Sequence, residues 1–256
     1  MYRRHIMKEF YINSDGIKLH AILQMPENKK KCPLLIVVHG LTGHMDEVHI
    51  KAAADTANEI GFASLRVEMY GHGKSEGKFE DHTLYKWINN MLDVVSYAKT
   101  LDFVTDMYLC GHSQGGLLTV LIGGLLPDTF RAIIPLSAAV MIPEVARGGG
   151  ILGMKFDPDH IPDILDFFGG KLNGNYLRTA QTIHVEEFVM KYRKPVLLVH
   201  GTRDQAVDVG YSYWLRQLYH DRTLVTVEGA NHGFEGQIGE MCAAIREFLL
   251  AQDSIR

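Results

Sequence analysis

Short, almost continuous apolar runs recur along the chain and alternate with longer amphipathic segments. Runs of four to six apolar residues are typical of strands that a parallel sheet buries on both faces. The longer segments between them have the spacing of helices that cover such a sheet. The pattern predicts six buried strands, at 34–38, 62–67, 107–110, 132–136, 196–200 and 224–227.

Four amphipathic segments carry apolar residues at helical spacing, and two of them have end signals. The stripe within 50–57 is followed by Gly61, and glycine commonly ends a helix. The stripe within 84–98 is preceded by Thr83, which can cap a helix. The other two stripes lie within 211–218 and 238–248. Their aromatic and methionine residues are interpreted as core surface rather than as a cofactor site.

The N-terminal region has a different pattern, with alternating residues on either side of a turn sequence. Residues 10–12 and 18–23 flank Ser14-Asp15-Gly16, which is typical of a β-hairpin. The predicted fold is therefore an α/β fold: a mostly parallel central sheet that begins with an antiparallel pair and is flanked by helices.

The alternation breaks once, between residues 139 and 190. This segment contains a run of three glycines at 148–150, several prolines and the pair Phe167-Phe168. A long irregular insertion in an α/β domain is often a functional cap or lid. We therefore predict a core formed by residues 1–138 and 191–256, with a cap insertion at 139–190 after the strand at 132–136, which is the sixth strand when the two hairpin strands are counted.

Charge and composition narrow the classes of partner. The 256 residues carry a formal net charge of −4, and the densest basic patch is only Lys29-Lys30-Lys31, which argues against nucleic acid. No apolar run approaches the roughly 20 residues that a membrane helix needs, and no secretory signal is recognised. The three cysteines fit reduced thiols, so a cytoplasmic location is expected.

The third of the six predicted strands leads into Gly-His-Ser-Gln-Gly-Gly at 111–116. A Gly-x-Ser-x-Gly sequence between a strand and a helix is typical of a nucleophile elbow. The serine, Ser113, would sit on a strained turn, with small glycines allowing the close approach of strand and helix. The following helix N-terminus would favour negative charge at the site.

A serine nucleophile needs a base, and the base needs an orienting group. Asp204 follows the strand after the insertion, and His232 follows the last strand. Both would lie at carboxyl ends of strands, and the chain order Ser, acid, His is that of this class of fold. Asp208 is a competing acid, but its position favours a helix cap.

Two backbone N–H groups are expected to stabilise the oxyanion. One belongs to Gln114, directly after the nucleophile. The other is assigned to Leu41, in the glycine-containing loop after the first of the six strands.

The other polar candidates receive structural interpretations. His39, His112 and His200 are predicted to orient loops by hydrogen bonding. The glycines at 71–73 are predicted to form a turn, and Cys110 to be buried packing. The thirteen histidines include no His-Glu-x-x-His sequence and the cysteines have no zinc-binding spacing, so no metal is predicted. The chemistry of a serine nucleophile needs no organic cofactor, so none is predicted.

Several motifs together resemble the cinnamoyl (feruloyl) esterases of gut bacteria, which have the α/β-hydrolase fold. The resemblance covers almost the whole chain, and its insertion motifs are the more specific ones. The matching segments are 39–43, 70–75, 111–116, 152–158, 174–176 and 180–182. Three features differ from that family: Leu41 at a position that is often aromatic, the glycine run at 148–150, and Phe167-Phe168.

The resemblance implies a serine carboxylesterase that hydrolyses feruloyl, caffeoyl and p-coumaroyl esters with Ser113, Asp204 and His232. It implies that the insertion forms the pocket for the aromatic acyl group, with Tyr176 as a candidate contact to the ring hydroxyls. The substrate contacts predicted on this basis are Tyr176, Phe167, Phe168 and His112. The partner is thus a small aromatic ester whose alcohol is not specified, and a homodimer is left open.

Two alternative functions are kept. A monoacylglycerol lipase or a short-chain carboxylesterase could use the same scaffold and residues. A non-catalytic sensor of a small ligand is a more remote alternative, because a fold does not determine a function. Dehalogenases and epoxide hydrolases of this fold use a carboxylate nucleophile, so Ser113 argues against both.

Overall fold

A single eight-stranded sheet forms the centre of the computed structural model, which describes residues 5–27, 30–151, 153–167 and 169–253. The strand order is β1-β2-β4-β3-β5-β6-β11-β12. The first two strands are antiparallel to their neighbours, and the other six run parallel to one another. The strands are β1 (His5–Ser14), β2 (Ile17–Pro26), β3 (Cys32–Val38), β4 (Ala63–Val67), β5 (Val104–His112), β6 (Phe130–Leu136), β11 (Val196–Gly201) and β12 (Arg222–Val227).

Helices cover both faces of the sheet, which explains why its central strands are apolar throughout. In β3, Leu34 and Ile36 pack on one face with α2 (Leu84–Lys99) and α3 (Gln114–Leu125). Leu35 and Val37 pack on the other face with α1 (Val48–Ile60) and α8 (Ile238–Asp253). Successive side chains of a strand point to opposite faces. The six predicted strands are confirmed. The four predicted helices are also confirmed and correspond to α1, α2, α7 (Gly210–Leu218) and α8.

The predicted end signals also operate as expected. Gly61 follows α1 in the left-handed conformation, with φ of 93°. The Thr83 hydroxyl accepts a hydrogen bond of 3.1 Å from the Lys86 N–H at the start of α2. Between β1 and β2, Asp15 and Gly16 both have positive φ, as a tight hairpin turn requires.

The segment between β6 and β11 has more regular structure than its sequence pattern indicates. It contains α4 (Ile142–Arg147), α5 (Asn175–Gln181) and α6 (Val185–Val189). It also contains two hairpins that do not join the main sheet: β7 (Gly150–Ile151) with β8 (Met154–Lys155), and β9 (Ile164–Phe167) with β10 (Gly170–Asn173). Strands of two to four residues are too short to show a hydrophobic period, so the sequence does not predict them.

The last helix of this segment packs tightly on the core. A Cβ atom at Gly124 of α3 would lie 2.4 Å from the carbonyl oxygen of Phe188 in α6. The predicted cap boundary at residue 190 therefore places a core-packed helix within the insertion. Across the described residues, every helix is too short or too polar to span a bilayer.

Candidate active site

Ser113 occupies a sharp, strained turn between β5 and α3. Its backbone has φ of 56° and ψ of −117°, a conformation that side-chain-bearing residues rarely adopt. Such strain costs about 1–3 kcal/mol and persists only where the surroundings impose it. Here the Ser113 N–H donates to the Leu136 carbonyl at 2.9 Å, and the Ser113 carbonyl accepts from Leu117 and Ala139. The predicted elbow geometry is confirmed.

The glycines around Ser113 leave no room for side chains. A Cβ atom at Gly111 would lie 2.1 Å from the Gly115 carbonyl oxygen. A Cβ atom at Gly115 would lie 2.4 Å from the His39 carbonyl oxygen. Real Cβ contacts are never so short, so both positions require glycine for the strand, the turn and the helix to approach one another.

Asp204 and His232 meet at the same edge of the sheet. Asp204 lies between β11 and α7, and His232 lies between β12 and α8. Asp204 Oδ2 is 2.7 Å from His232 Nδ1. The Asp204 side chain is fully buried, whereas that of His232 is 27% exposed. A buried acid that faces a partly open imidazole is the arrangement that a histidine base requires.

Four groups surround the Asp204 carboxylate and keep it ionised. Oδ1 accepts from the N–H groups of Ala206 and Val207, both at 2.9 Å, and Oδ2 faces His232 and His200. Burial raises the pKa of this carboxyl, but the hydrogen bonds from His200, His232 and Val207 outweigh it. The pKa of Asp204 therefore lies well below its usual range.

Two further histidines pack behind His232. His112 Nε2 lies 2.7 Å from the His232 carbonyl, and the two rings are 4.5 Å apart between centroids. The His49 ring of α1 lies 4.1 Å from that of His112. Burial is the main cause and the nearby His232 a smaller cause that together lower the pKa of His49 to about 4. Burial also holds the pKa of His112 well below its usual range. The two imidazole rings behind His232 are therefore neutral.

A cavity of about 160 Å³ opens onto Ser113 and His232. One wall comes from the β3–α1 loop, at Leu41 and Thr42. A second wall comes from the loop after β11, at Ala206 and Val207. The third is apolar and comes from the segment after β6: Ala139, Met141, Ile142 and Ile151. An apolar pocket beside a serine and a histidine can hold the acyl part of an ester.

The expected oxyanion donors flank this cavity. Gln114 is the first residue of α3, where backbone N–H groups have no partner within the helix. Leu41 lines the cavity, and its loop runs so close to the elbow that a Cβ atom at Gly40 would lie 3.0 Å from Ser113 Cβ.

His39 fixes the peptide unit that contains the Leu41 N–H. The Met69 N–H donates to His39 Nε2 at 3.1 Å, so the hydrogen of the neutral ring is on Nδ1, which donates to the Gly40 carbonyl at 2.7 Å. Burial, aided by His72, lowers the pKa of His39 to about 3 and keeps the ring neutral. Because the peptide is planar, fixing the Gly40 carbonyl also fixes the opposite direction of the Leu41 N–H.

Of the side chains predicted to contact substrate, those that the structure describes lie against other protein groups. Tyr176 is fully buried, and its hydroxyl donates to Gln114 Oε1 at 2.6 Å. Phe167 is 3% exposed and stacks on Phe79, with centroids 6.1 Å apart. These two side chains and that of His112 lie outside the lining of the cavity. Phe168 lies outside the described residues.

The other polar candidates have structural surroundings. The Asp208 carboxylate accepts from the Gly210 N–H at 2.7 Å. Asp208 lies one residue before Val209, the N-cap of α7, so it supports the start of the helix from outside the predicted cap position. Gly71 and Gly73 have positive φ in a turn after β4. Burial raises the pKa of the Cys110 thiol, consistent with packing. Within the described ranges, His, Cys, Asp and Glu side chains form no group suited to a metal ion.

Two larger depressions lie away from Ser113. One, of about 740 Å³, lies at the amino ends of the strands and is lined by residues such as Asp106, Arg131 and Lys194. The other, of about 620 Å³, lies beside α4 and α7, with Tyr211 and Trp214 on its wall. Neither contains Ser113, Asp204 or His232, so the smaller cavity is the candidate active-site pocket.

Comparisons with known proteins place the chain among serine hydrolases. A family model described as "Serine aminopeptidase, S33" matches residues 29–166, more than half of the chain. The Monoglyceride lipase of Rattus norvegicus is 23% identical, over 91% of this chain and 86% of that protein.

A solved structure, Est1E from Butyrivibrio proteoclasticus with ferulic acid bound, is much more similar. It is 55% identical, with a TM-score of 0.94, and the match covers 96% of this chain and 99% of that one. A second structure of Est1E gives 52% identity and a TM-score of 0.91. Because the first match leaves 4% of this chain uncovered, it includes most of segment 139–190.

Proposed function

The chain belongs to the hydrolase family described as serine aminopeptidase, S33, and is an esterase with the α/β-hydrolase fold; we propose that its substrates are hydroxycinnamate esters. Feruloyl, caffeoyl and p-coumaroyl groups share a planar aromatic ring joined to the carbonyl by a double bond. The observation that carries this proposal is the apolar cavity at Ser113 and His232, whose third wall is built from the insertion. The ferulic acid bound to Est1E supports the same class of acyl group.

In the proposed reaction, Ser113 Oγ attacks the ester carbonyl while His232 Nε2 takes its proton. Asp204 accepts from His232 Nδ1–H, which holds the imidazole in the required tautomer and stabilises its charged form. The backbone N–H groups of Leu41 and Gln114 stabilise the oxyanion. His232 then donates the proton to the departing alcohol. A water molecule, deprotonated by His232, hydrolyses the acyl-enzyme and restores Ser113.

A monoacylglycerol lipase is the second candidate, because the chain resembles monoglyceride lipases over nearly its full length. The size of the cavity favours the first candidate. A volume of about 160 Å³ with a mostly apolar lining suits a compact, flat acyl group better than a long fatty-acyl chain.

We also propose a cytoplasmic location for the enzyme, where its cysteines would stay reduced.

Ile151→Phe tests the assignment of the acyl wall. Ile151 is 3% exposed and lines the cavity, so a larger side chain takes up space that an aromatic ring would need. We expect kcat/KM for methyl ferulate to fall about 10- to 100-fold, while that for p-nitrophenyl acetate stays within about twofold. Steady-state kinetics on both esters measures the difference.

Ile164→Phe is the matched control, because Ile164 is 49% exposed on the second hairpin of the same segment and lies outside the cavity lining. It should leave both esters unaffected. An equal loss on both esters in Ile151→Phe, or no loss on either, would show that this wall does not hold the acyl group.

A further inference from the structure

His200 is a buried histidine that directly contacts the candidate catalytic acid. It lies near the end of β11, four residues before Asp204, and has no exposed surface. His200 Nε2 is 3.2 Å from Asp204 Oδ2 and 3.0 Å from the Val207 carbonyl oxygen. The same carboxylate oxygen lies 2.7 Å from His232 Nδ1, so two imidazoles share it.

The surroundings of His200 determine which ring nitrogen carries hydrogen. An ionised carboxylate and a carbonyl are acceptors only, so Nε2 must bear the hydrogen that faces them. Nδ1 lies 2.7 Å from the hydroxyl of Ser212, which is 2% exposed on α7 and can donate. Hydrogen bonds therefore link Ser212 to His200 and His200 to the Val207 carbonyl, and the same Nε2–H lies beside Asp204 Oδ2.

We propose that His200 is a positioning residue that directs Asp204 Oδ2 towards His232, and that Ser212 holds His200 in the required tautomer. The proposal rests on the Ser113, Asp204 and His232 mechanism given above. The N–H groups of Ala206 and Val207 fix only Oδ1. Without His200, Oδ2 would keep His232 as its single side-chain partner in a buried site.

Loss of this donor has a pH signature that packing alone does not have. A carboxylate that loses a hydrogen-bond donor becomes more basic. A more basic Asp204 stabilises protonated His232 more strongly, and this moves the acid limb of kcat/KM to higher pH. The titratable groups that interact with Asp204 are His200, His232 and His112, and burial holds the pKa of His112 well below its usual range.

The experiment compares His200→Leu with His200→Gln on methyl ferulate and p-nitrophenyl acetate. The leucine removes the donor at similar volume. We expect kcat to fall about 10- to 100-fold, the range seen when hydrogen-bond partners behind metal ligands are removed, with KM nearly unchanged and the acid limb shifted upward. The glutamine amide can donate again, so His200→Gln should recover part of the rate and return the limb towards the wild-type position.

Two further variants separate this effect from a general loss of stability. His20→Leu removes another buried histidine, 2% exposed, that binds Glu68 and Glu9 away from the site. It should lower the melting temperature without moving the acid limb. Ser212→Ala should shift the limb in the same direction as His200→Leu, by a smaller amount, and it carries the test if the leucine variant does not fold.

The failure of each proposal gives a different result. If the wild type hydrolyses only p-nitrophenyl acetate, the substrate assignment fails while the His200 test proceeds on that ester. If Asp204→Asn costs nothing, the proposed acid is wrong. If Asp204→Asn is inactive but the acid limbs of His200→Leu and Ser212→Ala stay at the wild-type pH, the role of His200 is overturned.

Discussion

Ser113→Ala is expected to lower kcat/KM for ester hydrolysis by about 10⁶-fold, the loss found where a complete triad operates. The substitution removes only the hydroxyl group, and that group is the proposed nucleophile. The residual rate would come from the oxyanion donors and from substrate binding. Steady-state kinetics of the purified variant on methyl ferulate, with a sensitive fluorescence or chromatographic assay of released ferulate, measures the loss.

Ser137→Ala is a matched control for that substitution. Ser137, like Ser113, is a serine with positive φ at the end of a strand, but it is fully buried and lies outside the cavity lining. It should keep most of the wild-type activity. Both variants should melt within a few degrees of the wild type, since removing one hydroxyl changes stability by about 1 kcal/mol. A folded Ser113→Ala enzyme with a rate near that of the wild type would refute the nucleophile assignment.

Asp204→Asn is expected to lower kcat by about 10⁴-fold. The carboxylate accepts hydrogen bonds on Oδ1 from two backbone N–H groups and on Oδ2 from His232 Nδ1–H, and His200 Nε2 lies 3.2 Å from Oδ2. An asparagine must turn its NH₂ group towards one of these donor pairs. Facing His232, the amide favours the tautomer with hydrogen on Nε2, which cannot take a proton from Ser113. The pH profile of kcat on methyl ferulate measures this loss.

Asp208→Asn makes the same chemical change four residues further along the chain. Asp208 accepts from the Gly210 N–H, and an asparagine carbonyl can do the same. This variant should therefore keep most of the activity. A greater loss in Asp208→Asn than in Asp204→Asn would move the catalytic acid to Asp208 and contradict the geometry at His232.

The sequence predicts the core well because each of its signals is local. The apolar runs identify the strands, since a strand covered on both faces has no polar side. The Gly-x-Ser-x-Gly sequence identifies the elbow, since only glycine tolerates contacts of 2.1 and 2.4 Å at positions 111 and 115. The positions of Asp204 and His232 follow from the rule that loops at the carboxyl ends of parallel strands meet.

The contacts behind the candidate triad depend on tertiary structure and have no local signal. His49 reaches the site from α1, and its ring contact with His112 cannot be predicted without knowing which helix covers that face of the sheet. The sequence predicts that His200 orients a loop, but its contact with Asp204 depends on the bend of the chain between them. The resemblance implies Tyr176 as a candidate contact to the ring hydroxyls, and its buried hydrogen bond to Gln114 has no local sequence signal.

The insertion is the other part that sequence patterns do not resolve. Its two hairpins have strands of two and four residues. Their positions depend on turns at Gly153 and Gly169, both with positive φ, rather than on a hydrophobic period. Ile151, on the wall of the cavity, therefore could not be identified as a pocket residue from sequence alone.

We propose that Ser113 cleaves hydroxycinnamate esters in the cavity walled by the insertion. This activity is tested by kcat/KM for methyl ferulate beside p-nitrophenyl butyrate and a monoacylglycerol, in the wild type and in Ser113→Ala. We expect that the wild type prefers methyl ferulate to the monoacylglycerol and that Ser113→Ala abolishes hydrolysis of methyl ferulate. Rapid, Ser113-dependent hydrolysis of the aliphatic esters with none of methyl ferulate would contradict this proposal, and would assign the cavity to a lipid or short-chain acyl group.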